Sequence, residues 1–264
     1  MENSARQFKN VSLLVTHYNR SRSLERLLNA FRDLSCSFGE VIVSDDGSRE
    51  EHVSVLREIQ QRFFFKLVTA PVNRGLGNNI NKGQDGATLP YTLYVQEDFE
   101  PSPVFPEHFA DALAMMEKDR GLEIARFYAY FSYPYTKPYG QGFSEMVFHG
   151  EPWYTNHLKF YFYSDHPHLR RSDFFSRFGR YAEGVSGDRT EYLMSLSFIR
   201  HKARGISYDA FTTLFHQKNS PDEPSTMGRS DWRQSKNPLV LTLRHFYLKI
   251  KFLRWSFDLL SKKP

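Results

Sequence analysis

Cysteine is almost absent: Cys36 stands alone in 264 residues. That excludes an internal disulfide framework and a Cys-based zinc site, and it fits a reducing compartment. Long apolar runs are missing as well. No stretch approaches the ~18–20 consecutive apolar residues of a spanning helix, and the polar opening MENSARQFKN has no apolar signal core. The expectation is a cytoplasmic protein, at most peripheral on the inner face of a membrane. Neither Gly-x-Gly-x-x-Gly nor a Walker Gly-Lys-Ser/Thr motif occurs, which disfavours dinucleotide oxidoreductases and P-loop NTPases. Internal repeats and low-complexity tracts are also lacking.

What is present is a folded-protein composition: 40% hydrophobic, 25% charged, and 16% aromatic with 24 Phe and 15 Tyr. Disorder is therefore not expected for most of the chain. The net charge is +5, and residues 239–264 carry that whole excess: Arg244, Lys249, Lys251, Arg254, Lys262 and Lys263 stand against Asp258 alone. The remaining chain is neutral, so no nucleic-acid partner is expected.

Short apolar runs alternate with helical patterns over the first hundred residues. Val11–Val15, Val41–Val43, Phe63–Val68 and Tyr91–Val95 read as strands. Leu24, Leu27, Leu28 and Phe31 share a helix face behind a Ser23 cap, and Val53, Leu56 and Ile59 mark a second helix. This order predicts an α/β fold with a mainly parallel central sheet flanked by helices. Ligands bind such sheets at the carboxyl ends of the strands, so the loops after the first, second and fourth strands should converge. Pro101, Pro103 and Pro106 then break the pattern. Further helices are expected at 107–119 and 190–203, a strand at Phe211–Phe215, and a mobile loop at 217–237.

Acids cluster at the expected strand ends. Asp45-Asp46-Gly47-Ser48 reads either as a tight turn or as carboxylates facing a base or ribose. Glu97-Asp98 with Glu100 form a denser group. Such carboxylates repel one another unless a cation neutralises them, and their oxygens suit Mg²⁺ or Mn²⁺ on a diphosphate. A solvated acidic turn is the alternative.

Four pieces, VSLLVTHYNR, VIVSDDGS, NRGLGNNINKG and LYVQEDFEPSP, stand in an order that resembles family 2 glycosyltransferases of the GT-A fold. The resemblance runs through residues 11–101 and more loosely to about 216. It implies a nucleotide-binding half at about 1–101 and an acceptor half at about 102–238, within a domain of residues 1–238. By position it implies that Thr16, Tyr18, Asp45 and Asp46 hold the base and ribose, and that Arg74 and Asn81 flank the phosphates. The family's Asp-x-Asp metal motif aligns with Gln96-Glu97-Asp98. Asp98 is then the metal ligand, and Glu97 faces the nucleotide or compensates for Gln96, which replaces the first acid and weakens a cation site. Some GT-A enzymes place a late His near the metal, which here would be His216. His166 and His168 have no clear metal spacing.

The segment Arg180–Met194 resembles the family's acceptor segment, in which an acid opening a helix is the base. Glu191 matches best and Asp188 second; helix capping is the alternative role. A carboxylate there would take the proton of an attacking sugar hydroxyl. Residues 127–163 hold 15 aromatics. They serve either as core or as stacking faces for an acceptor, with Trp153 and Tyr154 as the candidate contacts.

In the tail, Leu239, Leu243, Phe246, Ile250, Leu253, Phe257 and Leu260 repeat at spacings of four and three, and Leu248, Phe252, Trp255 and Leu259 widen the stripe. Residues 239–264 therefore read as a basic amphipathic helix that lies on an anionic membrane or packs on the domain or on a second subunit. The function implied is sugar transfer from a nucleotide-sugar donor to a carbohydrate or lipid-linked acceptor, inverting, in bacterial-type surface polysaccharide synthesis, with Mn²⁺ or Mg²⁺ as cofactor. The alternative is a catalytically degenerate nucleotide-sugar-binding or assembly module at a membrane, which Gln96 favours.

Overall fold

The computed structural model describes residues 6–219, 223 and 237–261. The first hundred residues run β1 (Arg6–His17), α1 (Ser21–Asp33), β2 (Cys36–Asp45), α2 (Glu50–Phe63), β3 (Lys66–Thr69), α3 (Leu76–Asp85) and β4 (Tyr91–Gln96). The chain continues through β5 (Phe99–Pro101), α4 (Phe105–Lys118), β6 (Leu122–Arg126), β7 (Thr136–Gly140), β8 (Phe143–Met146), β9 (His168–Arg171), α5 (Phe174–Phe178), α6 (Gly187–Arg200), β10 (Arg204–Tyr208), β11 (Phe215–Gln217) and α7 (Pro238–Leu260).

Nine strands form one sheet in the order β3-β2-β1-β4-β9-β6-β10-β8-β7, and β11 pairs with β5 apart from it. The first four strands are parallel. Alternation along β1 explains why helices cover both faces. Leu13 and Val15 join a core with Leu24, Leu27 and Phe31 of α1, Leu56 of α2 and Phe109 of α4. Leu14 turns the other way and joins Ile80 of α3 and Phe198 of α6.

The mainly parallel expectation holds for this half. Beyond it β9 enters antiparallel between β4 and β6, and β8 and β7 are antiparallel too. The single sheet thus crosses the boundary expected near residue 101.

Several boundaries differ from the sequence expectation. The segment Phe63–Val68 is not one strand: α2 runs to Phe63, Phe64 turns it with φ of 52°, and β3 starts at Lys66. The strand expected at Phe211–Phe215 is displaced, because β11 begins at Phe215. Ser23 does not precede its helix, since α1 starts at Ser21 without a side-chain cap from Arg20. Glu223 supplies that cap from 200 residues away, accepting from the backbone NH groups of Arg22 at 3.0 Å and Ser23 at 2.9 Å. Apart from residues 217–219, 223 and 237, the expected mobile loop lies outside the described residues, as do Lys262 and Lys263.

The tail helix has two apolar faces rather than one. Phe252, Trp255 and Leu259 pack against the domain, and the Trp255 ring stacks on Tyr192 at 4.7 Å. Leu243, Phe246, Ile250, Leu253, Phe257 and Leu260 remain exposed on the opposite side. The expectation of a single apolar face against a single polar face is corrected accordingly.

Gly77 of α3 shows how tightly the two halves close. A Cβ there would lie 2.2 Å from the carbonyl oxygen of Ala182, ahead of α6. Gly77→Ala should cost roughly 1–3 kcal/mol, as overpacked sites do, and calorimetry should show a lower melting temperature. An unchanged melt would refute this close approach.

Candidate active site

Three strand ends set the site. In register, Thr16 of β1 lies beside Ser44 of β2 on one side and Gln96 of β4 on the other. Strand order reverses about β1, which opens a crevice at the carboxyl edge. The convergence expected from the sequence is therefore present.

The first loops are held by their own acids. His17 Nδ1 lies 2.8 Å from Asp45 Oδ1, and the backbone NH of Arg20 donates to His17 Nε2 at 3.1 Å. Nδ1 therefore carries the hydrogen that goes to Asp45. Ser48 donates to both Asp45 oxygens, through Oγ and its backbone NH. Burial works to raise Asp45, but the His17 and Ser48 hydrogen bonds outweigh it and hold the carboxyl below its usual range. Asp46 accepts from the backbone NH groups of Arg74 at 3.0 Å and Gly75 at 2.8 Å. Both acids fasten loops and still line the edge. Thr16 shares a 3.0 Å hydrogen bond with Tyr94, and Tyr18 is half-buried above it.

Asn81 is committed elsewhere. Its amide donates to Tyr181 O and Glu183 Oε1, and its carbonyl oxygen accepts from the Tyr181 backbone NH. It clamps the Tyr181–Glu183 stretch to α3, and its amide is occupied by those contacts. Arg74 remains available: its guanidinium is exposed and only 3.4 Å from Glu183.

The acidic turn after β4 is almost fully buried. Asp98 is 4% exposed. Its Oδ2 lies 3.2 Å from Arg20 and accepts from Gln217 Nε2 at 2.8 Å, whereas Oδ1 is buried with no partner. Glu97 is pushed up to about 8, first by burial and then by Asp98, with Arg20 opposing. Gln96 donates to Asp165 Oδ2 at 3.0 Å.

His216 is exposed at the register position opposite Glu100, and its neighbour Gln217 is the residue that meets Asp98. Along β11 it is thus Gln217, and not His216, that contacts the expected metal ligand Asp98. Among the described residues, no group of three or more His, Cys, Asp or Glu could hold a metal ion. The donor set still fits a divalent cation shared with a diphosphate, since Mg²⁺-type sites commonly take one or two carboxylates plus substrate oxygens. The unpartnered Asp98 Oδ1 is the oxygen that fits.

On the acceptor side, Ser186 caps α6 and Asp188 is exposed in its first turn. Burial and then the neighbouring Asp165 push Glu191 far above the usual carboxylate range, against the pull of Arg126. Glu191 stands on α6 where the resemblance places the base, with Asp165 and Arg126 as its charged neighbours. Trp153 is 73% exposed. Tyr154 stacks on His149 at 3.9 Å in a turn anchored by the buried Lys159, whose Nζ donates to His149 O and Tyr154 O. Phe127, Tyr133, Phe143, Phe160, Phe162 and Tyr163 are core, so the aromatic segment is largely structural.

Arg20, Asp165, Arg126 and Gln217 were not singled out from the sequence. Arg20 closes the VSLLVTHYNR piece, and its place after the first strand was the available signal. Asp165 sits between an aromatic run and two histidines and gave none.

The family model described as Glycosyl transferase family 2 matches residues 12–179. A poly-beta-1,6-N-acetyl-D-glucosamine synthase of Staphylococcus epidermidis is 28% identical over 111 residues, covering 37% of this chain and 27% of that protein. One from Staphylococcus aureus strain COL is 26% identical over 92 residues, covering 35% and 22%. The match thus spans about a quarter of these relatives' length.

Among solved structures, S. aureus TarS 1–349 in complex with UDP-GlcNAc has a TM-score of 0.62 at 16% identity, covering 94% of this chain and 73% of that chain. The mannosyltransferase PcManGT of Pyrobaculum calidifontis, in complex with GDP-Man and Mn²⁺, has a TM-score of 0.55 at 16% identity, covering 95% and 74%. The fold is that of the GT-A glycosyltransferases.

The depressed Asp45 fixes a sign. Its stabilising contribution is present above the unfolded carboxyl pKa of about 3.9 and is lost as pH falls through the lower folded value. Asp45→Asn should therefore lower the melting temperature at pH 7 more than at pH 3. Equal losses at both pH values would contradict the His17–Asp45–Ser48 arrangement.

Proposed function

The chain belongs to glycosyl transferase family 2, and on that premise we propose that it moves one sugar from a nucleotide-sugar donor to a carbohydrate or lipid-linked glycan acceptor. The setting is synthesis of a bacterial-type surface polysaccharide, which the matching polysaccharide synthases support. The observation that carries the reading is the buried, unpaired carboxylate oxygen of Asp98 at the edge where β1, β2 and β4 end.

Thr16, Tyr18, Asp45 and Asp46 face the base and ribose, with the two acids held in place by their loop contacts. The exposed Arg74 reaches the phosphates, and Glu97 stands beside them as a buried neutral acid. Asp98 holds the divalent cation, Mn²⁺ or Mg²⁺, which when bound neutralises charge on the leaving diphosphate. Asp188 and Glu191 border the acceptor, whose hydroxyl attacks in a single inverting displacement. Trp153 offers an exposed ring for stacking on sugar, and Tyr154 stands beside it.

A second reading is a nucleotide-sugar-binding module without turnover. It is favoured by Gln96 in place of the family's first acid.

Thermal denaturation with UDP, GDP and other nucleoside diphosphates, each with and without Mn²⁺, tests the proposal. One diphosphate at a hundred times its Kd should stabilise the chain by about 2.7 kcal/mol, more with Mn²⁺ than without. Asp98→Asn should abolish the Mn²⁺ increment. Stabilisation by none of them would defeat the nucleotide-sugar reading, and stabilisation without donor turnover would favour the binding module.

The outer stripe of α7 fits an anionic lipid surface. Among the described residues no helix is long and apolar enough to cross a membrane, so the stripe would lie flat. Lys249 and Arg254 flank it, and the only acid of residues 237–261, Asp258, accepts from Tyr192 on the packed side. A second copy would set Lys249 and Arg254 against like charges, whereas anionic headgroups complement them.

Replacing Phe246, Ile250, Leu253 and Phe257 together by Ser spares the packed face. The variant should lose binding to phosphatidylglycerol vesicles while keeping its melting temperature. Undiminished co-sedimentation would sink the membrane role.

A further inference from the structure

The inference concerns Asp165 and rests on the transfer reading above. Asp165 lies three residues before His168, where β9 runs antiparallel between β4 and β6. In register His168 pairs with Tyr94 of β4 and with Arg126 of β6. The chain just ahead of β9 therefore emerges at the carboxyl edge where β4 and β6 end. There Gln96 Nε2 donates to Asp165 Oδ2 at 3.0 Å, and Glu191 of α6 is a charge neighbour of Asp165. One residue thus bridges the donor-side turn and the acceptor helix.

Its charged surroundings come from each packed element. Asp98 follows β4, Asp188 and Glu191 stand on α6, and Arg126 ends β6. Two unpartnered, buried polar atoms mark the same cluster: Asp98 Oδ1, and Nε of Arg126, which is 5% exposed. Arg126 otherwise donates to Tyr161 O at 2.8 Å and to Ser164 Oγ at 3.0 Å.

The geometry points to Asp165 as the carboxylate that takes the proton of the attacking acceptor hydroxyl, with Gln96 positioning it. In that step the hydroxyl O–H bond breaks and its proton goes to Asp165 Oδ1, since Oδ2 is held by Gln96. The hydroxyl oxygen forms a bond to the anomeric carbon. The bond from that carbon to the phosphate oxygen breaks, and its electron pair leaves with the diphosphate.

This gives Gln96 a function rather than a deficit. An acid at position 96 would stand against Asp165, and two carboxylates at that range do not both ionise. The neutral amide leaves Asp165 free to be the charged partner. Burial, followed by Asp188 and Asp98, pushes Asp165 up to about 6, with its own backbone NH and Gln96 opposing. That value lies near the working pH of a general base.

The test uses the full chain, Mn²⁺, UDP-GlcNAc and GDP-mannose as donor probes, and water as the acceptor, so that nucleoside diphosphate release is read without a known glycan. Asp165→Asn should lower kcat by about 100-fold or more, with donor KM and nucleotide-induced stabilisation within about twofold of wild type. Asp165→Glu should recover part of the rate. The acidic limb of the kcat profile should vanish in Asp165→Asn and move to higher pH in Gln96→Asp. A merely structural role would not move that limb.

Asp165→Asn turnover within threefold of wild type overturns the assignment, as does Glu191→Gln abolishing the limb that Asp165→Asn leaves intact. A wild type stabilised by a diphosphate but releasing none from its donor removes the base role and keeps nucleotide binding. A wild type stabilised by no nucleoside diphosphate removes the transfer reading itself, a failure that the binding measurement separates from the others.

Discussion

The contact on which the site depends is the guanidinium of Arg20 against Asp98, at 3.2 Å in almost complete burial. Glu97 and Asp98 are adjacent acids at a sheet edge, and one charge of that pair cannot stay buried without a counter-charge. Arg20 supplies it from the loop after β1. The same guanidinium donates to Asn219 Oδ1 and Glu223 O, and Glu223 caps the helix that Arg20 precedes. One cation therefore joins the first loop, the acidic turn and the returning chain. The unpaired Oδ1 of Asp98 is the part of the pair left for something else.

A second set of contacts ties α3 to the stretch that leads into α6. Asn81 and Asn78 of α3 both donate to Glu183, and Asn81 also exchanges hydrogen bonds with Tyr181. Glu183 is held below its usual carboxyl range chiefly by those two amides. Arg170 fills the interior behind them: it is fully buried, donates to Gln84 Oε1 at 2.8 Å and lies over the Phe174 ring at 4.2 Å. Polar residues of α3 that looked ligand-facing are spent on this clamp. A side chain whose three amide bonds are all made inside the protein has little left for a phosphate.

The parts legible in the sequence were those set by local pattern. The mainly apolar run Val11–Val15 of β1, the helix stripe Leu24–Phe31 and the acids after β2 and β4 all stand where their spacing put them. What was not legible depends on distant chain. Phe63 has the β-favouring side chain of a strand, yet α2 continues through it because Gln60 and Phe64 close the helix end with a backbone bond. The antiparallel entry of β9 between β4 and β6 follows from no periodicity, and without it Asp165 has no address. Ser23 carries the right chemistry for a cap, but it lies inside the helix and serves as a receiver for Glu223. His216 and Gln217 alternate along β11, and only the register with β5 decides which of them meets the acidic turn.

Gln96 joins these threads. On sequence alone it is a loss, an amide where a cation site wants an acid. In the fold it faces a carboxylate that arrives from residue 165, so the acid has changed strand while the edge keeps it. The cluster then divides by neighbour. Asp98 answers to Arg20, Asp165 to Gln96, and burial and Asp165 raise the Glu191 carboxyl against the pull of the buried Arg126. Carboxyl groups of one type thus meet different neighbours in a small volume, and different neighbours shift their pKa values apart.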